Sequence, residues 1–180
     1  MKAVLDACVL YPTVLREILI GCAAQGLFQP LFSERILGEW VRATAKLGPG
    51  APVIAQGEAA LLRAQFPKAM VRAQDAIEAR LHLPDPNDAH VLAVAIAGHA
   101  DCIITFNAKD FPRHTLAEEG VDRRDPDGFL WELQSRHPDQ VGQVVARVHA
   151  TACRLSGQEI ALKALLKRVK LNRLARAMVG

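Results

Sequence analysis

Asp6, Glu39, Asp88 and Asp110 are the side chains in this sequence whose type and placement could do chemistry. Asp6 closes an apolar run. Glu39 lies between Ile36 and Val41 in a segment of helical periodicity, Asp88 follows the helix-start pair Asp85-Pro86, and Asp110 comes one loop after an apolar run ending at Phe106. Singly, each has an ordinary reading: Asp85 caps a helix, Asp88 favours its positive end, Asp110 stabilises a turn, and Glu39 is solvated on an amphipathic face. Asp6 resists that treatment, because a carboxylate ending a hydrophobic strand loses hydration that something must replace. Together the four repel one another: two like charges about 4 Å apart cost roughly 1 kcal/mol in water and about 4 kcal/mol at an effective dielectric of 20. The motifs that carry them offer no lysine or arginine expected to neutralise the group. An all-oxygen acidic site suits Mg²⁺ or Mn²⁺, whose work beside carboxylates is to grip a phosphate and assist in-line attack by water.

The elements that must position these acids follow from the pattern of apolar residues. Lys2 to Ala7 reads as a buried strand, and Tyr11-Pro12 opens a helix through Ile18, Leu19 and Cys22. Leu27 to Phe32 reads as a second strand, and Ser33 as the N-cap of a helix carrying Ile36, Leu37, Trp40 and Val41. After the loop Gly48-Pro49-Gly50-Ala51-Pro52, helices are expected over Val53 to Phe66 and Pro67 to Arg80. Asp85-Pro86 then reads as N-cap and first helical residue, Gly98 as the stop, and Asp101 to Phe106 as a buried strand. A short strand is expected near Val121 to Arg123, and Asp125-Pro126 starts another helix. Ser156-Gly157-Gln158-Glu159 fits a capping box ahead of Leu162, Leu165, Leu166 and Val169. Strands separated by helices imply crossovers and a mostly parallel sheet, whose ligands bind beyond the carboxyl ends of the strands. Asp6, Asp88 and Asp110 all fall at such ends.

Composition bounds the class. A chain of 180 residues, 51% hydrophobic, can bury a full core, and no apolar run is long enough to cross a bilayer, so a cytoplasmic location is expected. Cys8, Cys22, Cys102 and Cys153 form no C-x-x-C pair, which argues for reduced, mostly buried thiols over a zinc ribbon or redox motif. The net charge of +3 is uneven: residues 1–146 hold 14 Lys and Arg against 18 Asp and Glu, and residues 147–180 hold 8 against 1. A basic tail of this kind either contacts an anionic partner, through Arg154, Lys163, Lys167, Lys170 and Arg173, or is a solvated helix face. Histidines in no H-E-x-x-H spacing and the absence of glycine-rich phosphate motifs argue against zinc hydrolase and nucleotide-binding readings. Aromatics, at 5%, are too few for a base-stacking platform.

Four stretches carry a resemblance: Val4-Leu5-Asp6-Ala7-Cys8-Val9-Leu10, Ser33-Glu34-Arg35-Ile36-Leu37-Gly38-Glu39, Asp85-Pro86-Asn87-Asp88-Ala89-His90-Val91-Leu92-Ala93, and Ile104-Thr105-Phe106-Asn107-Ala108-Lys109-Asp110-Phe111. In this order they resemble the successive motifs of PIN domains, particularly bacterial VapC-like toxins. The resemblance implies a three-layer α/β/α fold with a central parallel sheet over residues 1–125 and leaves residues 126–180 as a C-terminal helical extension. It also implies Mg²⁺- or Mn²⁺-dependent endoribonuclease activity on single-stranded RNA. By position, Asp6, Glu39 and Asp88 would be the principal acids and Asp110 would complete the metal site. Asn107 occupies a further motif position that is acidic in some relatives, where an amide coordinates more weakly. Cys8 departs from the small hydroxyl or amide residue common two positions after the first acid, and is expected to pack. Thr105 either orients a carboxylate or is an ordinary β-branched strand residue. Implied partners are an antitoxin covering the acidic cleft and a second copy in a homodimer. The competing readings are a PIN-like RNA- or protein-binding module with weak catalysis, and a structure-selective DNA nuclease.

Overall fold

The computed structural model describes residues 1–180. In chain order the elements are β1 (Lys2–Leu5), α1 (Ala7–Leu10), α2 (Thr13–Ala24), β2 (Gln29–Leu31), α3 (Glu34–Ala43), α4 (Ala51–Gln65), α5 (Asp75–Arg80), α6 (Ala89–Ala97), β3 (Cys102–Ile104), α7 (Arg113–Glu118), β4 (Asp122–Arg124), α8 (Pro126–Arg136), α9 (Pro138–Ser156), α10 (Leu162–Arg168) and α11 (Asn172–Val179). They form two compact units: Met1–Tyr11 with Gln29–Arg124, and Pro12–Phe28 with Asp125–Gly180.

The first unit is built on a parallel sheet of order β2-β1-β3-β4. Val4 pairs with Leu31 on one side and Ile103 on the other, and Ile103 pairs in turn with Arg123. The inner strands β1 and β3 are apolar and almost wholly buried, as strands covered on both faces must be. From β1 the chain goes on to β2 on one side; from β3 it goes on to β4 on the other. Their shared carboxyl end is therefore the switch point at which an open parallel sheet leaves a crevice. Because Leu5 is paired with Ile104, the next residues, Asp6 and Thr105, emerge there side by side.

Helix α6 packs on β1 and β3, and Ala89 to Ala95 are all buried. It ends at Gly98, where a Cβ would lie 2.6 Å from Leu31 Cδ1 and 3.0 Å from the Val94 carbonyl oxygen. Glycine is needed here for close approach; its φ is −80°, and the left-handed conformation falls on His99 at φ 52°. Expected helix over Pro67 to Arg80 forms only in part. Pro67–Ala69 is a 3₁₀ turn, Met70 bridges Phe32 in parallel fashion, and helix resumes at Asp75. The Phe32 backbone explains the difference: its N–H donates to the Ala69 carbonyl at 2.9 Å and its carbonyl accepts from Val71 N–H at 2.8 Å. This sheet-like pairing takes the backbone groups a helix would have used.

In the second unit α8 packs on α9 and α11, and α9 also packs on α2. Phe28 and Phe129 meet edge to face, with centroids 5.1 Å apart. The first turn of α11 is capped from a distance, the Asp127 carboxylate accepting from Arg173 and Leu174 N–H at 2.8 and 3.0 Å. The capping box expected at Ser156 is absent. Ser156 is instead the last residue of α9, Gly157 follows with φ 67°, and α10 begins only after Ala161. Glycine at that conformation ends a helix, and the Ser156 hydroxyl turns back to donate to the Cys153 carbonyl at 3.1 Å.

Gly98→Ala tests the helix–sheet packing. Urea unfolding should show a loss of about 1–3 kcal/mol from overpacking against Leu31; an unchanged midpoint would mean that α6 and β2 are not in this close contact.

Candidate metal centre and acidic cleft

Asp6 follows β1 in an extended conformation and caps α1, its Oδ1 accepting from Ala7 N–H at 2.7 Å. Oδ2 accepts from the Thr105 hydroxyl at 2.7 Å and from the Cys8 thiol at 3.2 Å. Only 6% exposed, Asp6 thus exchanges water for three protein donors, which is what a buried carboxylate requires. Thr105 also accepts from Asn107 N–H at 2.9 Å, so it orients the first acid and ties down the loop that carries the last. Cys8 does more than the packing expected of it: besides donating to Asp6 it accepts from Phe106 N–H at 3.4 Å. Burial, and then the charge of Asp6, push its thiol up to about 12. It therefore stays protonated and remains a donor.

Asp85 caps the 3₁₀ turn Pro86–Asp88, accepting from Asn87 N–H at 2.9 Å, and α6 continues from it. This short turn brings Asp85 and Asp88 to one place, and the loop after β3 adds Asp110. Ligand oxygens of the three lie within 4.8 Å of one another, and all three residues are half-buried. The sequence marks Asp88 and Asp110 as site residues and Asp85 only as a cap. Arg123 fixes the Asp110 loop, its Nη1 donating to the Ala108 and Phe111 carbonyls at 2.5 and 2.9 Å.

Asp6 and Glu39 lie outside this tight trio, but their charges reach it. The Asp88 carboxyl is raised to about 6, first by partial burial and then by the charges of Asp6, Asp85, Asp110 and Glu39. Asn107 gives some relief, its Nδ2 donating to Asp88 Oδ2 at 3.1 Å. Glu39, on α3 behind the Ser33 N-cap (Ile36 N–H to Ser33 Oγ, 3.1 Å), turns partly inward with its side chain 31% exposed. Contrary to the expectation of no cation near the acids, Arg35 Nε lies 3.6 Å from Glu39 Oε1. The same guanidinium donates to Glu78 at 2.9 Å and to the Asn87 carbonyl at 3.4 Å, linking α3, α5 and the turn that holds Asp88. One helical turn separates Arg35 from Glu39, so the i,i+4 spacing was a signal available in the sequence. His90, equally unsuspected, approaches the same oxygen from α6 at 2.8 Å.

The donor set fits a hard divalent cation. It is all oxygen, it is fixed on strand and helix ends, and partial burial and the neighbouring acids raise the proton affinity of Asp88. The model of the PIN domain family matches residues 2–109, and the chain belongs to that family. Comparison with curated proteins and with solved structures returns no match. Membership makes a nuclease-type function the general assignment. Asp110 lies one residue beyond the matched span, so its place beside Asp85 and Asp88 comes from geometry. No helix is long and apolar enough to cross a membrane.

The Asp88 shift has a sign that can be measured. Its carboxyl rises from 3.8 to about 6, so the folded protein binds that proton more tightly than the unfolded chain does. The cost of the charge is absent below about pH 4 and is complete only above about pH 6. In EDTA, Asp88→Asn should therefore melt about 2–4 °C above wild type near pH 7.5, allowing for a screened effect of about 1 kcal/mol at this half-exposed site. The two should coincide near pH 4. A variant no more stable than wild type at the higher pH would show that the acids do not converge on Asp88.

Proposed function

We propose that the chain is a Mg²⁺- or Mn²⁺-dependent endoribonuclease acting on single-stranded RNA, the toxin of a toxin–antitoxin pair. The observation that carries the reading is the gathering of Asp85, Asp88 and Asp110 within 4.8 Å, with Asp88 raised to about 6 by partial burial and then by the charges of Asp6, Asp85, Asp110 and Glu39. Asp85, Asp88 and Asp110 would hold a cation, with Asp6 and Glu39 completing the acidic wall and Asn107 offering its amide. When bound, the ion supplies counter-charge to the carboxylates and the phosphate and makes water a better nucleophile.

The remaining tasks fall to the chain. Asp6 is held in a single orientation by Ala7, Thr105 and Cys8, so no side-chain freedom is lost when a cation or substrate arrives. Arg123 and Thr105 keep the Asp110 loop against the sheet. Asp85, Asp88 and Asp110 are half-buried, so a phosphodiester and a water can reach them. In-line displacement at phosphorus would leave a 5′-phosphate and a 3′-hydroxyl. The toxin role, with an antitoxin covering the acids, is supported by the order of the four motifs and by family membership.

Purified protein should cut labelled single-stranded RNA in Mn²⁺ or Mg²⁺ and not in EDTA, and Asp6→Asn should reduce cleavage to background while folding normally. Full activity in a folded, metal-loaded Asp6→Asn protein would overturn the assignment. Salt-sensitive RNA binding without cutting would identify a binding module, and preference for branched DNA a structure-selective DNA nuclease.

A further inference from the structure

One buried side chain beside the acids has no part in the mechanism above. His90 lies in the first turn of α6, two residues after Asp88, and is 4% exposed. Its neighbours Ala89 and Val91 to Ala95 are apolar and buried, so packing alone would be served by leucine. Nδ1 has no hydrogen-bond partner. Nε2 lies 2.8 Å from Glu39 Oε1, yet the approach is bent outside hydrogen-bond geometry. A buried polar group left in this way is destabilising, and poorly aligned contacts at a binding site often tighten only on loading. Arg35 reaches the same oxygen at 3.6 Å, so both cationic or donor groups fall on Oε1.

We infer that His90 is a positioning residue for the acidic centre: its Nε2–H takes Oε1 of Glu39 and leaves the other carboxylate oxygen for a divalent cation. The inference rests on the metal-site reading above and adds to it the residue that orients one wall of the site. Outer groups that hold ligating carboxylates in this way set metal affinity, and their loss costs on the order of 10–100-fold. Arg35 cannot substitute for His90. Its side chain is 46% exposed and shared with Glu78 and Asn87, whereas the imidazole is fixed by its surroundings.

The test is calorimetric titration of the full chain with Mn²⁺ alone, at one pH and without RNA, for wild type, His90→Gln, His90→Leu and Asp88→Asn. Glutamine places an amide N–H near the position of Nε2, and leucine keeps volume without a donor. Wild type and His90→Gln should bind within a few-fold of each other, and His90→Leu on the order of 10–100-fold more weakly while melting in EDTA at or above the wild-type temperature. His90→Asn, whose amide is too short to reach Glu39, takes the place of His90→Leu if that variant does not fold. Wild-type affinity in His90→Leu overturns the inference, as does equal weakening in His90→Gln. If Asp88→Asn loses Mn²⁺ while His90→Leu keeps it, only the positioning role falls. A His90-dependent Mn²⁺ site in a protein that cuts no RNA leaves the inference standing and removes the ribonuclease reading. Absence of Mn²⁺ binding in wild type overturns both.

Discussion

Mutual repulsion among carboxylates gathered around Asp88 is the constraint to which the rest of the first unit answers. Left in water, five acids would spread apart; with them held at strand and helix ends, partial burial and then their charges raise Asp88 to about 6 instead. What holds them is a set of interactions each worth about a kilocalorie, chosen so that the acid serves the fold and the fold fixes the acid. Asp6 caps α1 and receives the Thr105 hydroxyl; Asp85 caps the turn that delivers Asp88. A helix start offers unpaired N–H groups and a positive potential, so capping reduces the charge cost of the same residues that line the acidic centre.

The parallel sheet makes this arrangement possible because side-by-side strands end at the same level. Pairing of Leu5 with Ile104 places Asp6 and Thr105 together although 99 positions separate them in the chain. No local interaction could specify that proximity. It depends on register, the pairing of Ala3, Val4 and Leu5 with Cys102, Ile103 and Ile104 in strands buried among apolar neighbours. The geometry of the acidic centre is in this sense a consequence of sheet pairing.

That division explains which features were legible in the sequence. Strand ends, the Ser33 and Asp125 caps, the Asp85-Pro86 helix start and the acidic positions all have local signatures, and each of these elements formed where its pattern lies. The Met70 bridge was not legible, because a partner in Phe32 and not local propensity decides it. The capping box failed for the opposite reason: Ser156 matched a four-residue pattern, but the left-handed Gly157 after it belonged to the end of α9. Within the site, Thr105, Cys8 and His90 have side chains equally at home in an ordinary strand or core. Only the packing of α3, α6 and the sheet ends shows that their polar atoms point at Asp6 and Glu39. Arg35 and Asp85 were different, since helical spacing and motif proximity were visible, but neither says where the far end of a flexible side chain will rest.

Cys8 and Asn107, where the motifs read from the sequence depart from those they resemble, bear on the same charge balance. A thiol beside Asp6 would harm the site if it ionised, because a sixth negative charge would join five. Burial and the Asp6 carboxylate themselves push the thiol to about 12, so the group that threatens the site is kept a proton donor by it. At position 107 an acid would add directly to the repulsion on Asp88, whereas the amide present donates to Asp88 Oδ2 at 3.1 Å. Asn107 therefore puts a donor where an acid would add charge, and Cys8, kept protonated, adds none, so neither raises the counter-charge that the centre requires.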